Sequence, residues 1–149
     1  MHVPILLGSK SDTEYAQKIA DMLTEYGVSS EIIVASAHKV PEKVVTIIEK
    51  LNAYTEPVVV ITVVGMSNGL GGVVAGSCVH PVITCPPFKD LDDYLVNVHS
   101  SLQMPSDVPV MTVLNPKNAA LSALRIFAQS NEDLKKKLLK RIEKIKGEY

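Results

Sequence analysis

The sequence predicts a three-layer α/β/α fold around a doubly wound parallel sheet. Three observations carry that prediction. Short apolar runs alternate with stretches of helical period along the chain, the order that builds βαβ units. The apolar runs are continuous rather than alternating, as strands covered on both faces should be. Each of the first three runs also ends in a loop of small or charged residues just before a helix begins.

Val3 to Leu7 is the first strand and Gly8-Ser9-Lys10-Ser11-Asp12 the turn after it. Ser11 with Glu14 matches a capping box, so a helix is expected from about Asp12 to Tyr26, with Tyr15, Ile19, Met22 and Leu23 on its apolar side. Gly27 stops it. Glu31 to Ala35 is the second strand, and Pro41 opens a second helix striped by Val44, Val45, Ile47, Ile48 and Leu51. Val58 to Val64 is β-branched almost throughout and should form the sheet centre. A glycine-rich loop, Gly65 to Gly72, leads to a short helix of small residues over about Val73 to Cys78. Pro81 to Cys85 and Val108 to Leu114 are the fourth and fifth strands, with a helix over Asp92 to Leu102 between them. Pro116 opens a helix that runs to about Gln129. A separate charged helix, about 131–148, carries the stripe Leu134, Leu138, Leu139, Ile142 and Ile145. That stripe can fold back on its own domain or pack on another subunit.

The 149 residues fit one domain, 1–149, with its core in about 3–128. A formal charge of −1 supplies no basic field for phosphates, so nucleic acid is not an expected partner. The apolar start is too short for a signal peptide, and no run approaches a membrane span. Cys78 and Cys85 make neither a disulfide framework nor a metal spacing and read as small buried hydrophobes. A cytoplasmic location is expected.

In a parallel sheet, the three loops share the carboxyl edge, where ligands bind. Ser36-Ala37-His38-Lys39 follows the second strand. His38 can move protons near neutral pH, Lys39 brings positive charge, and Ser36 and Ala37 leave room for a substrate. In the first loop, Gly8 permits close approach, Ser9 and Ser11 offer hydroxyls at a helix start, and Asp12 can grip sugar hydroxyls. The third loop holds four glycines in eight residues, with Ser67 and Asn68 among them. So many glycines suit a backbone that touches a flat ring or small molecule. Plainer readings exist for each: an N-cap without ligand, a surface histidine, a tight turn. A P-loop, a Gly-x-Gly-x-x-Gly fingerprint, a Gly-x-Ser-x-Gly elbow and a metal-ligand spacing are all absent.

The combination of Gly8-Ser9-Lys10-Ser11-Asp12, Ser36-Ala37-His38-Lys39-x-Pro41 and the glycine loop, at the ends of three successive strands, resembles the PurE family of purine biosynthesis. Ser101-Leu102-Gln103-Met104-Pro105 and Asn118-Ala119-Ala120-Leu121 fit the same family. The resemblance implies a flavodoxin/Rossmann-like scaffold. It also implies homo-octamers, with active sites near subunit contacts. Lys39, Ser67-Asn68-Gly69-Leu70 and Cys85-Pro86-Pro87 side with the branch that carboxylates aminoimidazole ribonucleotide (AIR) directly with CO2, using neither ATP nor a metal or organic cofactor. In the other branch, a mutase moves the carboxylate of N5-carboxyaminoimidazole ribonucleotide, and an arginine follows the histidine. Met66 departs from the carboxylase pattern, which has arginine there.

By this resemblance, His38, Lys39 and Ser67 are catalytic. Gly8, Ser9, Ser11, Asp12, Ser36, Ala37, Lys39, Gly65, Ser67, Asn68, Gly69 and Leu70 bind substrate. Asp12 is expected on ribose hydroxyls, Ser9 and Lys39 on phosphate, and His38 on the proton of the ring carbon. Two rival functions remain at this point: the mutase, and a non-catalytic nucleotide-binding module on the same scaffold.

Overall fold

The five strands are all parallel: β1 (His2–Leu7), β2 (Ser29–Val34), β3 (Val60–Val63), β4 (Val82–Thr84) and β5 (Met111–Thr112), in the spatial order β2-β1-β3-β4-β5. The computed structural model describes residues 1–149. Six helices connect and follow the strands: α1 (Thr13–Glu25), α2 (Pro41–Asn52), α3 (Gly69–Ser77), α4 (Leu91–Leu102), α5 (Pro116–Phe127) and α6 (Glu132–Lys146). The expected α/β/α layering is present. β3 lies at the centre with all four residues buried, as its β-branched composition predicts.

Strand alternation divides the core in two. Val3, Ile5 and Leu7 of β1 face α1, α5 and α6, and pack with Ile19, Leu23, Leu124 and Phe127. Leu6 faces the other way, toward Val44 and Ile48 of α2 and Leu70 and Val74 of α3. Register continues this division across the sheet. One row reads Ile32, Ile5, Ile61, Ile83 and Met111, and the next reads Ile33, Leu6, Thr62, Thr84 and Thr112.

The second row holds an unpartnered group. Thr62 is fully buried and its hydroxyl has no hydrogen-bond partner. A buried hydroxyl without a partner costs more than the methyl that could replace it. Thr62→Val is therefore expected to stabilise the chain by about 1 kcal/mol. A higher urea midpoint with an unchanged m-value would record the gain.

Several boundaries differ from the sequence expectation. Ser11 and Glu14 do not form a capping box. A 3₁₀ turn at Lys10–Asp12 comes first, capped by the Ser9 side chain, and Asp12 precedes α1 without a side-chain capping bond. The tighter turn moves the free amides two residues earlier, so Ser9 rather than Ser11 meets them. Gly27 does end the helix region, with φ +73°. α3 begins at Gly69, not Val73, because the Asn68 side chain accepts from the Gly71 amide at 2.9 Å and starts the helix inside the glycine run. α6 docks on its own domain through Leu134 and Leu138, which belong to the same core as Ala123 and Phe127. Leu139 and Ile145 of its predicted stripe stay exposed. No helix is long and apolar enough to cross a membrane.

Candidate active site

The strand order reverses between β1 and β3, with β2 on the far side of β1. Loops leaving neighbouring strands at such a point turn to opposite faces of the sheet, and a crevice opens between them. An open cleft of about 760 Å³ lies there. Ser9, Ser11 and Asp12 reach it from the turn after β1, Ser36 to Lys39 from the loop after β2, and Gly65 to Ser67 from the loop after β3.

The first loop presents a chain of hydroxyls. Ser11 donates its hydroxyl to Ser9 Oγ at 2.9 Å, or to Asp12 Oδ1 at 3.3 Å. Burial raises the Asp12 pKa, while the Ser11 hydroxyl and the charge of Lys89 act against that rise. Between the ordinary carboxylate value and the raised one, the folded chain keeps a proton that the unfolded chain has released. Stability from this group is thus present at low pH and falls as pH rises through that window. Asp12→Asn is expected to raise the melting temperature of the ligand-free protein, by more at neutral pH than at mildly acidic pH. Paired thermal melts at both pH values check this.

The second loop is a tight turn in which the Lys39 and Val40 amides donate to the Ser36 carbonyl at 3.3 and 2.9 Å. His38 and Lys39 are exposed to the cleft. The His38 ring rests on the start of α3. A Cβ placed on Gly69 would lie 2.6 Å from His38 Nε2 and 2.8 Å from Cε1. Only glycine at position 69 admits the imidazole there.

The third loop is shorter than the sequence suggested, and its glycines have separate tasks. Gly69 makes room for His38. Gly71 packs inside the fold, where a Cβ would meet Asn68 Oδ1 at 2.6 Å and Thr84 Cγ2 at 2.7 Å. Ser67 is exposed and lines the cleft. Leu70 is buried but reaches its floor. Asn68 and Gly69 do not line it. Asn68 is 5% exposed, and its amide donates to Ser101 Oγ at 3.0 Å, so the side chain is spent on holding α3 and α4 together.

The cleft has residues that sequence reasoning passed over: Tyr15 and Lys18 from α1, Pro87, Phe88 and Lys89 after β4, and Asp93 and Asn97 from α4. The Pro86-Pro87 break after the fourth strand was the available signal, since it leaves the sheet at the same edge. Tyr15 donates its hydroxyl to the Leu114 carbonyl at 2.6 Å, and burial pushes its pKa up. Cys85 stands behind Tyr15, fully buried, its thiol pushed up to about 12 by burial. A thiol held protonated in that way is not a nucleophile. No three His, Cys, Asp or Glu side chains gather as a metal-binding group.

A family model described as AIR carboxylase matches residues 2–148. The chain belongs to the AIR carboxylase family. Among curated relatives of this family, the phosphoribosylaminoimidazole carboxylase of Archaeoglobus fulgidus is 42% identical over 139 residues, covering 93% of this chain and 76% of that protein. The phosphoribosylaminoimidazole carboxylase of Treponema denticola is 42% identical over 132 residues, covering 89% of this chain and 82% of that one. A bifunctional phosphoribosylaminoimidazole carboxylase/phosphoribosylaminoimidazole succinocarboxamide synthetase of Drosophila melanogaster is 43% identical over 129 residues, but the match spans only 30% of its length. The fold agrees with these likenesses. A crystal structure of Treponema denticola PurE superposes with a TM-score of 0.92 at 38% identity, covering 99% of this chain and 92% of that one.

Proposed function

We propose that this chain carboxylates AIR directly at C4, with His38 as the base and with no ATP, metal or organic cofactor. The observation that carries the reading is the seat of His38. Its ring lies on the start of α3, in a cleft shared with Asp12, Lys39 and Ser67. Family membership and the names of the relatives support the carboxylase reading. So do Lys39 beside the histidine and the run Ser67-Asn68-Gly69-Leu70.

The electron-rich aminoimidazole attacks CO2 through C4. A C–C bond forms, and one C–O π pair moves onto oxygen. The Ser67 hydroxyl and the loop amides from Gly65 stabilise that growing negative charge. The C4–H bond then breaks, its electrons return to the ring, and His38 takes the proton. Holding CO2 beside C4 out of bulk water supplies several kcal/mol of the barrier through positioning. Asp12 holds the ribose hydroxyls, and Ser9, Ser11 and Lys39 hold the phosphate. Gly8, Ser36 and Ala37 shape the wall against which the nucleotide lies. The chain is further proposed to act in the cytoplasm as a homo-octamer. The exposed apolar residues Leu91, Leu95, Val96 and Leu102 of α4 suit burial between copies. Light scattering on the purified protein tests the octamer.

The activity test supplies AIR with and without bicarbonate, in the absence of ATP, and follows carboxyaminoimidazole ribonucleotide by ultraviolet absorbance. CO2-dependent turnover is expected. Turnover only with N5-carboxyaminoimidazole ribonucleotide would make the chain a mutase. Binding of AIR without turnover of either compound would leave a nucleotide-binding module.

A further inference from the structure

Met66 adopts a left-handed backbone conformation, φ 55°, with its side chain 75% exposed. Residues with a Cβ rarely sit there unless their surroundings hold them. Here α4 grips both backbone groups of Met66. The Met66 amide donates to Asn97 Oδ1, and the Met66 carbonyl accepts from Ser100 Oγ at 2.6 Å. Ser100 Oγ lies 3.3 Å from the Asn68 amide, which donates to it. Ser67 therefore stands between two residues whose backbones are tied to one helix. Gly65 makes the approach possible, since a Cβ there would lie 2.9 Å from Asn97 Nδ2.

Asn97 lines the cleft, yet it has little left to offer a ligand. It is 2% exposed. Its amide donates to the Pro87 carbonyl at 2.7 Å and to Asp93 Oδ1 at 3.2 Å, and its oxygen takes the Met66 amide. Both amide hydrogens and one lone pair are used. One buried side chain thus joins the loop after β3 to the loop after β4.

We infer that Asn97 and Ser100 are positioning residues for carboxylation: they hold Met66 left-handed and so aim the Ser67 hydroxyl at the reacting carboxyl group. This inference rests on the role given to Ser67 in the proposed function. An interaction needed in the transition state loses force when its donor drifts by an ångström. The signature is a fall in kcat rather than a rise in KM.

The test compares Asn97→Ala, Ser100→Ala, Ser67→Ala and both double variants with the native protein, using AIR and saturating bicarbonate. Asn97→Ala is expected to lower kcat about 10- to 100-fold, with KM for AIR moving less than about threefold. Ser100→Ala should do the same to a smaller extent, and because Ser100 is only half-buried it carries the test if Asn97→Ala does not fold. In the Ser67→Ala background, either change should lower kcat by less than about twofold, because the group it aims is gone. Effects that multiply fully in the double variants would mean independent structural damage and overturn the inference. So would wild-type kcat in Asn97→Ala and Ser100→Ala beside a crippled Ser67→Ala. A fully active Ser67→Ala would instead overturn the Ser67 assignment itself, and the inference with it.

Discussion

Replacing His38 by asparagine is expected to cut kcat by about 10²- to 10⁴-fold, the contribution typical of a positioned general base. Asparagine keeps a polar group near the ring position but cannot accept and return a proton at neutral pH. His38 is exposed to the cleft, so the change removes no core contact. AIR binding, measured by calorimetry, should change little, because the phosphate and ribose are assigned to other side chains, Ser9, Ser11, Asp12 and Lys39. Loss of turnover with binding retained is the expected pair of results. Retention of most of the activity would show that another group takes the C4 proton. Loss of binding and turnover together would make His38 a substrate-holding residue.

Gly69→Ala is expected to harm catalysis without harming the fold. The new methyl would stand 2.6 Å from His38 Nε2, where ordinary contact is about 3.5 Å, so the ring must retreat by roughly 1 Å. A displacement of that size in the reacting geometry costs up to about 10²-fold in kcat. Gly69 is the first residue of α3, with a φ that is not left-handed. Alanine is a better helix former there, by up to about 1 kcal/mol. Activity and melting temperature should therefore move in opposite directions. A variant with full activity would mean that the His38 ring does not need its seat on Gly69.

Most of the architecture was legible because its signals are local. Continuous apolar runs marked β1 and β3, and the prolines at positions 41 and 116 marked the starts of α2 and α5. The failures came where a tertiary partner decides. The start of α3 depends on Asn68, whose amide is fixed by Ser101 from a helix more than thirty residues later. Sequence reading therefore took the whole glycine run for a ligand loop, although Gly71 serves packing against Thr84. The start of α1 was misread because a 3₁₀ turn, which leaves little trace in composition, shifted the cap from Ser11 to Ser9. At the site, the three motifs at the ends of β1, β2 and β3 do converge on one cleft. Phe88, Lys89 and Asn97 escaped notice because Cys85-Pro86-Pro87 after β4 carries no side chain that suggests chemistry, and the residues beyond it reach the cleft only through the sheet's topology.

The division of the interior into two cores also sets an order of completion along the chain. Every buried residue of the apolar core on the α2/α3 side, from Leu6 to Val82, lies in the first part of the sequence. The α1/α5/α6 side begins at Val3 and is not complete until Leu138. As the chain leaves the ribosome, that apolar core has all its buried members once Val82 has emerged, and Val108 and Val110 join its edge later. The opposite side gains α1 early but waits for α5 and α6, and its closure joins residues separated by almost the full chain. The two faces of one sheet thus carry unequal periods of exposure during synthesis, with the longer one on the face that the C-terminal helix finally seals.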